Sequence, residues 1–325
     1  MYYTLQQARK VILISHKNPD GDTLGSVTAL MHLLETINIP HIGFCVTPIE
    51  DKFLYLPYVD KITNDPKIWQ DTNIDVVITC DGGDLDYLGI RTHIEGMKQT
   101  HTLLNIDHHQ TNKKFGGINL VVPTAASTTE IIYGIFEANT LLIEQHVATS
   151  LLTGLITDTD NFTNGATTAS SLAIASKLIH LGGNIALIQD RFIHDKTLDV
   201  LKVWGTVLGR LVKDEELDLV YTYLTLNDLK QCDVAEAETD GLANFLNNLG
   251  EGKAEMILKQ IDTHTFKGSF RTTNDNVNVA KWALSMGGGG HKKASGFSVE
   301  AKTPEDAIKQ ILNKLSYIIL NENNY

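Results

Sequence analysis

The first 190 residues alternate short hydrophobic segments with longer amphipathic ones. The short segments are rich in Val, Ile and Leu, as is typical of buried strands, and cover residues 11–15, 41–46, 75–80 and 102–106. Helical patterns cover residues 24–36, 127–138, 144–155 and 168–181. The alternation predicts an α/β domain with a doubly wound parallel sheet, because parallel strands need helical crossovers. Functional side chains of such a domain gather at the carboxyl ends of the strands.

The pattern changes after residue 217. A long helical pattern over about 187–213 is followed by segments that resemble half-exposed strands, at 219–226, 254–262 and 265–272. One helix precedes a run of four glycines, and another closes the chain over 304–320. The sequence therefore predicts a first domain over 1–190, a helical linker over 191–217 and a smaller α+β domain over 218–325.

The charge balance limits the classes of partner. The chain has 27 Lys and Arg against 39 Asp and Glu, which gives a formal net charge of −12. This balance disfavours long duplex nucleic acid and anionic membranes, which both need a broad basic face. Residues 264–296, in contrast, carry five basic residues and one acid. We therefore expect a small or short phosphate-bearing partner in the second domain.

The cysteines and the absence of a long apolar run indicate the cellular compartment in which we expect the protein. The three cysteines, Cys45, Cys80 and Cys232, are far apart and form no C-x-x-C pair. A scattered, odd number of cysteines favours a reducing compartment. No uncharged apolar run approaches the ~20 residues of a membrane span, and no leader pattern is present at the start. We expect a cytoplasmic protein.

The first chemical cluster follows the first predicted strand. Pro19 and Gly21 predict a tight turn that brings His16, Asp20 and Asp22 together. One imidazole with carboxylates suits Mn²⁺, or Mg²⁺ with more bound waters. The alternative is a simple turn that caps the next helix, with His16 exposed to solvent.

Two further clusters follow later strands. Asp81 ends the strand over 75–80, and Asp107, His108 and His109 follow the strand over 102–106. These positions meet at one edge of a parallel sheet. The alternative for the two histidines is that one is exposed to solvent and the other caps a helix, and we expect Asp84 to be a helix cap.

A fourth cluster lies at the end of an apolar helix. Asp158 stands where the helix dipole disfavours a carboxylate, so a nearby cation is expected to offset it. Two histidines and four carboxylates at element ends match the donor set of two metal ions that share a bridging carboxylate. The six residues are His16, Asp20, Asp22, Asp81, His108 and Asp158.

These motifs together resemble a known family. The series H-x-N-P-D-G-D-x-x-G-S from His16, the strand-end Asp81, D-H-H at 107–109 and T-D-T at 157–159 resembles the DHH superfamily of phosphoesterases. The segment G-G-G-G-H-K-K-A-S-G at 287–296 resembles the DHH-associated C-terminal domain. The pairing is most similar to bacterial oligoribonucleases that also dephosphorylate 3′-phosphoadenosine 5′-phosphate (pAp).

The resemblance implies a role for each site residue. One divalent cation would be held by His16, Asp20 and Asp81, and a second by Asp22, His108 and Asp158, with Asp81 shared. Mn²⁺ is the expected ion, with Mg²⁺ as the alternative. His109 would contact the scissile phosphate and Asp107 would orient the two histidines.

The second domain carries the expected substrate-binding residues. Backbone N–H groups of a glycine run approach an anion closely, and an arginine offers a fork-shaped donor. The predicted set is Ser269, Arg271, Gly288, Gly289, Gly290 and His291. Two departures from the family pattern are Tyr87, where Arg is frequent, and Asp160, where Gly is frequent.

The expected function is metal-dependent hydrolysis of short oligoribonucleotides to mononucleotides, of pAp to AMP, or of both. Hydrolysis of cyclic or linear dinucleotides such as pApA is the alternative. A non-catalytic nucleotide sensor is a second and less favoured alternative, since a sensor need not retain all six metal ligands. An inorganic pyrophosphatase is disfavoured because the glycine-rich segment is not the basic motif of that class. A homodimer is a further expectation.

Overall fold

The computed structural model describes residues 1–192, 197–239, 241–246, 250–290 and 292–322. The chain divides into two compact units, residues 1–195 and 196–325. Among the described residues no single helix is long and apolar enough to cross a membrane. One helix pair, Ala169–His180 with Ile185–Phe192, passes that test by length and composition only and is bent by 116°.

In its described part, the first unit contains a six-stranded parallel sheet of order β3-β2-β1-β4-β5-β6. The strands are β1 Val11–Ile14, β2 His41–Phe44, β3 Ile62–Thr63, β4 Val76–Cys80, β5 Thr102–Asp107 and β6 Ile118–Val121. The helices are α1 Tyr2–Gln6, α2 Gly21–Thr36, α3 Leu85–Leu88, α4 Arg91–Gly96, α5 Thr128–Ala138, α6 Gln145–Asp158, α7 Ala169–His180 and α8 Ile185–Phe192. Short 3₁₀ turns lie at Asp51–Phe53, Val59–Lys61 and Pro66–Gln70.

The central strand β1 shows why the sheet is covered on both faces. Val11 and Leu13 point into the core formed with α2, α5 and α6, whereas Ile12 and Ile14 point into the core on the opposite face. All four side chains are buried, as the unbroken apolar run predicts. The prediction of a doubly wound α/β domain is confirmed. The short strands β3 and β6 have no comparable run and were not predicted.

In its described part, the second unit contains a mixed sheet of order β11-β12-β10-β9-β8-β7, in which only β8 and β9 are parallel. The strands are β7 Val212–Asp214, β8 Leu219–Leu224, β9 Ala254–Gln260, β10 Thr265–Arg271, β11 Gly289–Gly290 and β12 Ala294–Glu300. The helices are α9 Leu198–Leu208, α10 Leu226–Cys232, α11 Leu242–Leu246, α12 Val279–Ser285 and α13 Pro304–Glu322, with a 3₁₀ turn at Glu236–Thr239. The predicted α+β character is confirmed.

The continuous helix expected over 187–213 is wrong. Thr197 caps a new helix, α9, by accepting a hydrogen bond from the Val200 backbone, and the segment after Gly209 turns into β7. The apolar face of α9 packs Val200, Val203 and Val207 into a core of the second unit, together with Ile257. The boundaries 1–190, 191–217 and 218–325 stay a prediction.

Candidate active site

The turn after β1 caps a helix and buries a histidine. Asp20 is the N-cap of α2, and its Oδ1 accepts hydrogen bonds from the backbone N–H groups of Asp22 and Thr23, both at 3.0 Å. The capping alternative is therefore right for Asp20. It is wrong for His16, which is only 3% exposed.

The His16 ring is oriented by its own backbone. Nδ1–H donates to the Lys17 carbonyl oxygen at 2.8 Å, which leaves the lone pair on Nε2. Nε2 lies 3.5 Å from Asp20 Oδ1 and 3.5 Å from Asp81 Oδ2, and has no hydrogen-bond partner among the described residues. Burial by itself would lower the pKa of His16, but the two carboxylates outweigh it and raise the pKa to about 11. The surroundings of Nε2 thus favour a positive charge there.

A second group lies where α2, α5 and α6 meet. The fully buried Asp22 accepts hydrogen bonds from the first amides of α5, with Oδ2 2.6 Å from Thr128 N and Oδ1 2.9 Å from Thr129 N. His108 Nε2 lies 3.1 Å from Asp158 Oδ2. His108 Nδ1–H donates to the Ala125 carbonyl oxygen at 3.3 Å, so this ring also turns Nε2 toward the acids.

Asp81 lies between the two groups. Its Oδ2 is 3.5 Å from His16 Nε2, and its Oδ1 is 3.6 Å from His108 Nε2. The residue has a left-handed backbone with φ of 58°, a conformation that is uncommon outside glycine and often marks a functional position. One carboxylate thus presents one oxygen to each group.

The acids and histidines of the site lie close together, which shifts the pKa values of several of them. Burial, together with the charges of Asp158 and Asp81, raises the pKa of Asp22 well above its usual value. Burial likewise raises the pKa of Asp158 to about 6. Burial alone would lower the pKa of His108, but the neighbouring acids raise it to about 10. In the described part of the chain no Lys or Arg forms an ion pair with Asp22, Asp81 or Asp158.

The donor set fits divalent metal ions. His16, Asp20 and Asp81 offer ligand atoms within 4.8 Å of one another, and so do Asp22, His108 and Asp158. Each group combines one imidazole, whose free nitrogen is directed inward, with two carboxylates. The structure therefore brings all six predicted ligands together, in the two triads that the resemblance implies.

His109 lies beside this site and is 46% exposed. Its Nδ1–H donates to Asp107 Oδ1 at 2.7 Å, and this bond raises the pKa of His109. Asp107 is fully buried and also accepts from the His108 backbone at 2.8 Å and from the Asn112 side chain. The geometry suits the orienting role predicted for Asp107.

Sequence reasoning missed three supports of the site. These are Asn112 and the backbone amides of Thr128 and Thr129. A signal for the last two was present, because Ser127 and Glu130 form a helix-start pattern and Ser127 does cap α5. Nothing in the sequence indicated that this helix start would hold Asp22.

The structure also gives the positions of the two departures from the family pattern, Tyr87 and Asp160, and of the expected helix cap, Asp84. Tyr87 lies beside His16, with 5.2 Å between ring centroids. Asp160 is exposed and left-handed, with φ of 49°. Asp84 caps α3 and pairs with Lys113 at 2.7 Å, so it stays outside the metal-ligand groups, as expected.

The second unit aligns several predicted substrate-binding residues in one cross-strand row. β12 pairs with β10 on one side and β11 on the other, so that Gly296 lies opposite both Ser269 and Gly289. Arg271 ends β10, and burial lowers its pKa. A side chain at Gly288 would collide with the Gly296 carbonyl oxygen. The predicted His291 lies outside the described residues.

Two more histidine-containing groups occur among the described residues of the first unit, of which one, Asp81, His108 and His109, belongs to the site above and the other lies apart from it. His32, Glu144 and His146 offer donor atoms within 4.8 Å of one another. However, His32 Nδ1 and His146 Nε2 share a hydrogen bond of 2.9 Å. The two rings thus point at each other, which distinguishes this group from the Asp81 site.

Comparison with known proteins gives matches along most of the chain. Residues 10–155 match the DHH family, N-terminal domain, and residues 218–321 match the DHHA1 domain. A bifunctional oligoribonuclease and PAP phosphatase NrnA from Thermus thermophilus is 26% identical, over 93% of this chain and 88% of that protein. A probable manganese-dependent inorganic pyrophosphatase from Streptococcus thermophilus is 23% identical, over 95% and 96%. The crystal structure of an exopolyphosphatase-related protein from Bacteroides fragilis shares the fold, with a TM-score of 0.86, 22% identity and coverage of 97% and 95%.

Proposed function

Because the chain belongs to the DHH family and carries a DHHA1 domain after its DHH domain, we propose that it is a metal-dependent phosphoesterase. Its substrates would be short oligoribonucleotides, hydrolysed to mononucleotides, and pAp, hydrolysed to AMP. Relatives named for both activities align with nearly the whole chain.

The observation that carries this proposal is the position of Asp81. Its two oxygens lie 3.5 and 3.6 Å from the inward nitrogens of His16 and His108. His16, Asp20 and Asp81 would hold one divalent ion, and Asp22, His108 and Asp158 a second. Manganese is favoured because each group mixes imidazole with carboxylate, and a relative is named as manganese-dependent. When bound, such a pair of ions activates water and neutralises phosphoryl oxygens.

His109 would supply a hydrogen-bond donor to the substrate. Asp107 holds its Nδ1–H and favours the imidazolium form, so Nε2–H donates as well. An imidazolium stabilises negative charge that develops on a phosphoryl or leaving-group oxygen. Asp107 cannot rotate away, because Asn112 and the backbone of His108 hold its other contacts.

The second unit would bind a phosphate of the substrate. Ser269 and Arg271 lie on β10 and the glycines on β11, with β12 between the two strands, and an arginine at a strand end offers two parallel donors. Gly290 has φ of 142°, a conformation that requires glycine, and a Cβ atom there would collide with the backbone of Ala294 and Ser295. His291 and Gly288 remain predicted members of this site. A homodimer and a cytoplasmic location also stay predictions.

One experiment separates the candidate activities. Purified protein with Mn²⁺ or Mg²⁺ would be incubated with pAp, labelled 2-mer, 5-mer and 24-mer RNA, pApA and cyclic di-AMP. We expect mononucleotide release from the 2-mer and 5-mer and AMP from pAp, with little cleavage of the 24-mer. Faster cleavage of pApA or cyclic di-AMP would instead establish a dinucleotide phosphodiesterase. Binding without any cleavage would contradict the proposal and indicate a sensor.

A further inference from the structure

Tyr87 lies on a short, firmly held helical turn at the edge of the candidate active site. Asp84 caps this turn by accepting from the backbone N–H groups of Asp86 and Tyr87, at 2.9 and 2.8 Å. Leu88 is fully buried beneath it, and Gly89 ends it with a left-handed φ of 75°. The position of the Tyr87 backbone is therefore well defined on both sides.

Neighbouring residues cover only part of the Tyr87 side chain. Its ring contacts His16, with centroids 5.2 Å apart and planes tilted by 43°. The residue is nevertheless 50% exposed. Within the described hydrogen bonds its hydroxyl has no partner. A large aromatic surface thus remains open to solvent next to a proposed metal ligand.

Two acids of this turn are paired with basic residues. Asp84 pairs with Lys113 at 2.7 Å, and Asp86 makes two hydrogen bonds of 2.6 Å to Arg91. The exposed part of the Tyr87 ring can therefore make stacking contacts with a planar group.

We propose that Tyr87 binds a nucleobase of the substrate by stacking, and so acts as a specificity-determining residue for nucleotides. This proposal rests on the proposed function, which places a substrate phosphate at the ions beside His16. The base attached to that nucleotide lies one sugar away from the phosphate, within reach of a ring next to His16. Stacking on an aromatic side chain tolerates every base, which suits an enzyme for short RNA of any sequence.

The test measures stacking without turnover. The probe is a diribonucleotide with a non-hydrolysable methylenephosphonate linkage and 2-aminopurine at either position, because 2-aminopurine fluorescence falls when the ring stacks. The full-length wild type is compared with Tyr87→Leu and Tyr87→Phe in the presence of Mn²⁺. The control is Tyr3→Leu, which removes an exposed tyrosine of the same unit that is not at the site. Circular dichroism verifies that each variant is folded.

We expect quenching of one isomer by the wild type, the Phe variant and the control. Tyr87→Leu should lose the quenching and bind about tenfold more weakly, within the range that one stacked base contributes. It should bind an abasic version of the probe as tightly as the wild type does. The proposal would be overturned if Tyr87→Leu had the same Kd and the same quenching as the wild type, or if it lost affinity equally for the abasic probe. It would also be overturned if the wild type failed to bind the probe or to quench its fluorescence.

The outcomes also separate this proposal from the proposed function. If the wild type quenches the probe through Tyr87 but does not cleave hydrolysable ApA with Mn²⁺, the proposed function fails and the stacking site stands. If it cleaves ApA and Tyr87→Leu changes neither KM nor quenching, only the stacking proposal fails.

Discussion

At the scale of single residues, Asp81 has the most demanding position. It carries a left-handed backbone, is 3% exposed, and faces two histidines whose other nitrogens are fixed by backbone carbonyl groups. The charge of Asp81 raises the pKa of the neighbouring Asp22 and, on its other side, raises the pKa values of His16 and His108. A carboxylate between two imidazoles and further acids suits the proposed role of holding two cations.

We predict that Asp81→Asn lowers turnover of a 2-mer by about 10³-fold or more, because a pair of metal ions supplies several kcal/mol of transition-state stabilisation. In EDTA, this variant should still unfold cooperatively, which separates the loss of turnover from a loss of folding. Urea unfolding and single-turnover assays measure the two effects. Asp60→Asn, at an exposed position, is the control. Activity of Asp81→Asn within tenfold of the wild type would contradict the assignment.

Glu255 in β9 offers a pH-dependent prediction independent of the metal site. It is 3% exposed, and its Oε2 has no hydrogen-bond partner among the described residues. Burial raises its pKa from the usual 4.5 to about 7. The folded state therefore binds this proton more tightly than the unfolded state, and stability decreases as pH rises from about 4.5 through 7, by an amount on the order of 2–3 kcal/mol.

Glu255→Gln, which mimics the neutral acid, should be more stable than the wild type at pH 8 and about equally stable at pH 5. Thermal or urea unfolding at the two pH values measures this difference. Glu300→Gln, at an exposed position, should show no such dependence. If Glu255→Gln is destabilised equally at both pH values, then ionisation of Glu255 does not lower the stability of the folded wild type.

At the scale of secondary-structure elements, the close crossing of α2 and α6 determines where the proposed metal ligands Asp22 and Asp158 lie. A Cβ atom at Gly25 would collide with the Ser150 carbonyl oxygen, and one at Gly154 would collide with Thr129 and Asp22. These two glycines let the helices approach closely enough to bring Asp22 and Asp158 to one site. The close approach is therefore a condition for the chemistry.

Gly25→Ala should lower the free energy of unfolding by about 1–3 kcal/mol, because the obstacle is backbone and cannot rotate away. Gly134→Ala in α5 is the matched control, since nothing lies within 4 Å of the added Cβ. That change should stabilise the protein by roughly 0.5–1 kcal/mol through helix propensity. Urea unfolding of both variants measures the difference, and equal effects of the same sign would contradict the packing argument.

Much of the first unit could be predicted from sequence because its signals are local. Buried strands such as Val11–Ile14 are continuous apolar runs, and the polar residues after them must meet at one sheet edge. Two of the three missed contacts are long-range, because Thr128 and Thr129 hold Asp22 from more than 100 residues away. The start of a new helix at Leu198 was missed because apolar residues at helical spacing occur on both sides of the polar stretch 194–197. Thr197 as a cap was the available signal.

At the scale of the whole molecule, the distribution of charge favours a short form of the proposed RNA substrate. The chain carries a net charge of −12, while residues 264–296 are locally basic. A protein with this distribution neutralises few phosphates at once. Longer RNA therefore adds charge repulsion without adding contacts.

We predict that affinity for RNA does not increase with length beyond about five nucleotides. The slope of the logarithm of the association constant against the logarithm of the salt concentration should stay at about −2. Fluorescence anisotropy with labelled 5-mer and 24-mer RNA, in Ca²⁺ or with a non-hydrolysable backbone, measures both quantities. A slope that becomes much steeper for the 24-mer would indicate an extended basic surface and contradict the account.

The central claim is that two divalent ions share Asp81. Crystals of the full-length protein grown with Mn²⁺, measured at the manganese absorption edge, test it most directly. We predict two anomalous peaks roughly 3.5–4 Å apart on either side of the Asp81 carboxylate, one next to His16 Nε2 and the other next to His108 Nε2. No peak at these residues, or peaks confined to His32, Glu144 and His146, would contradict the account.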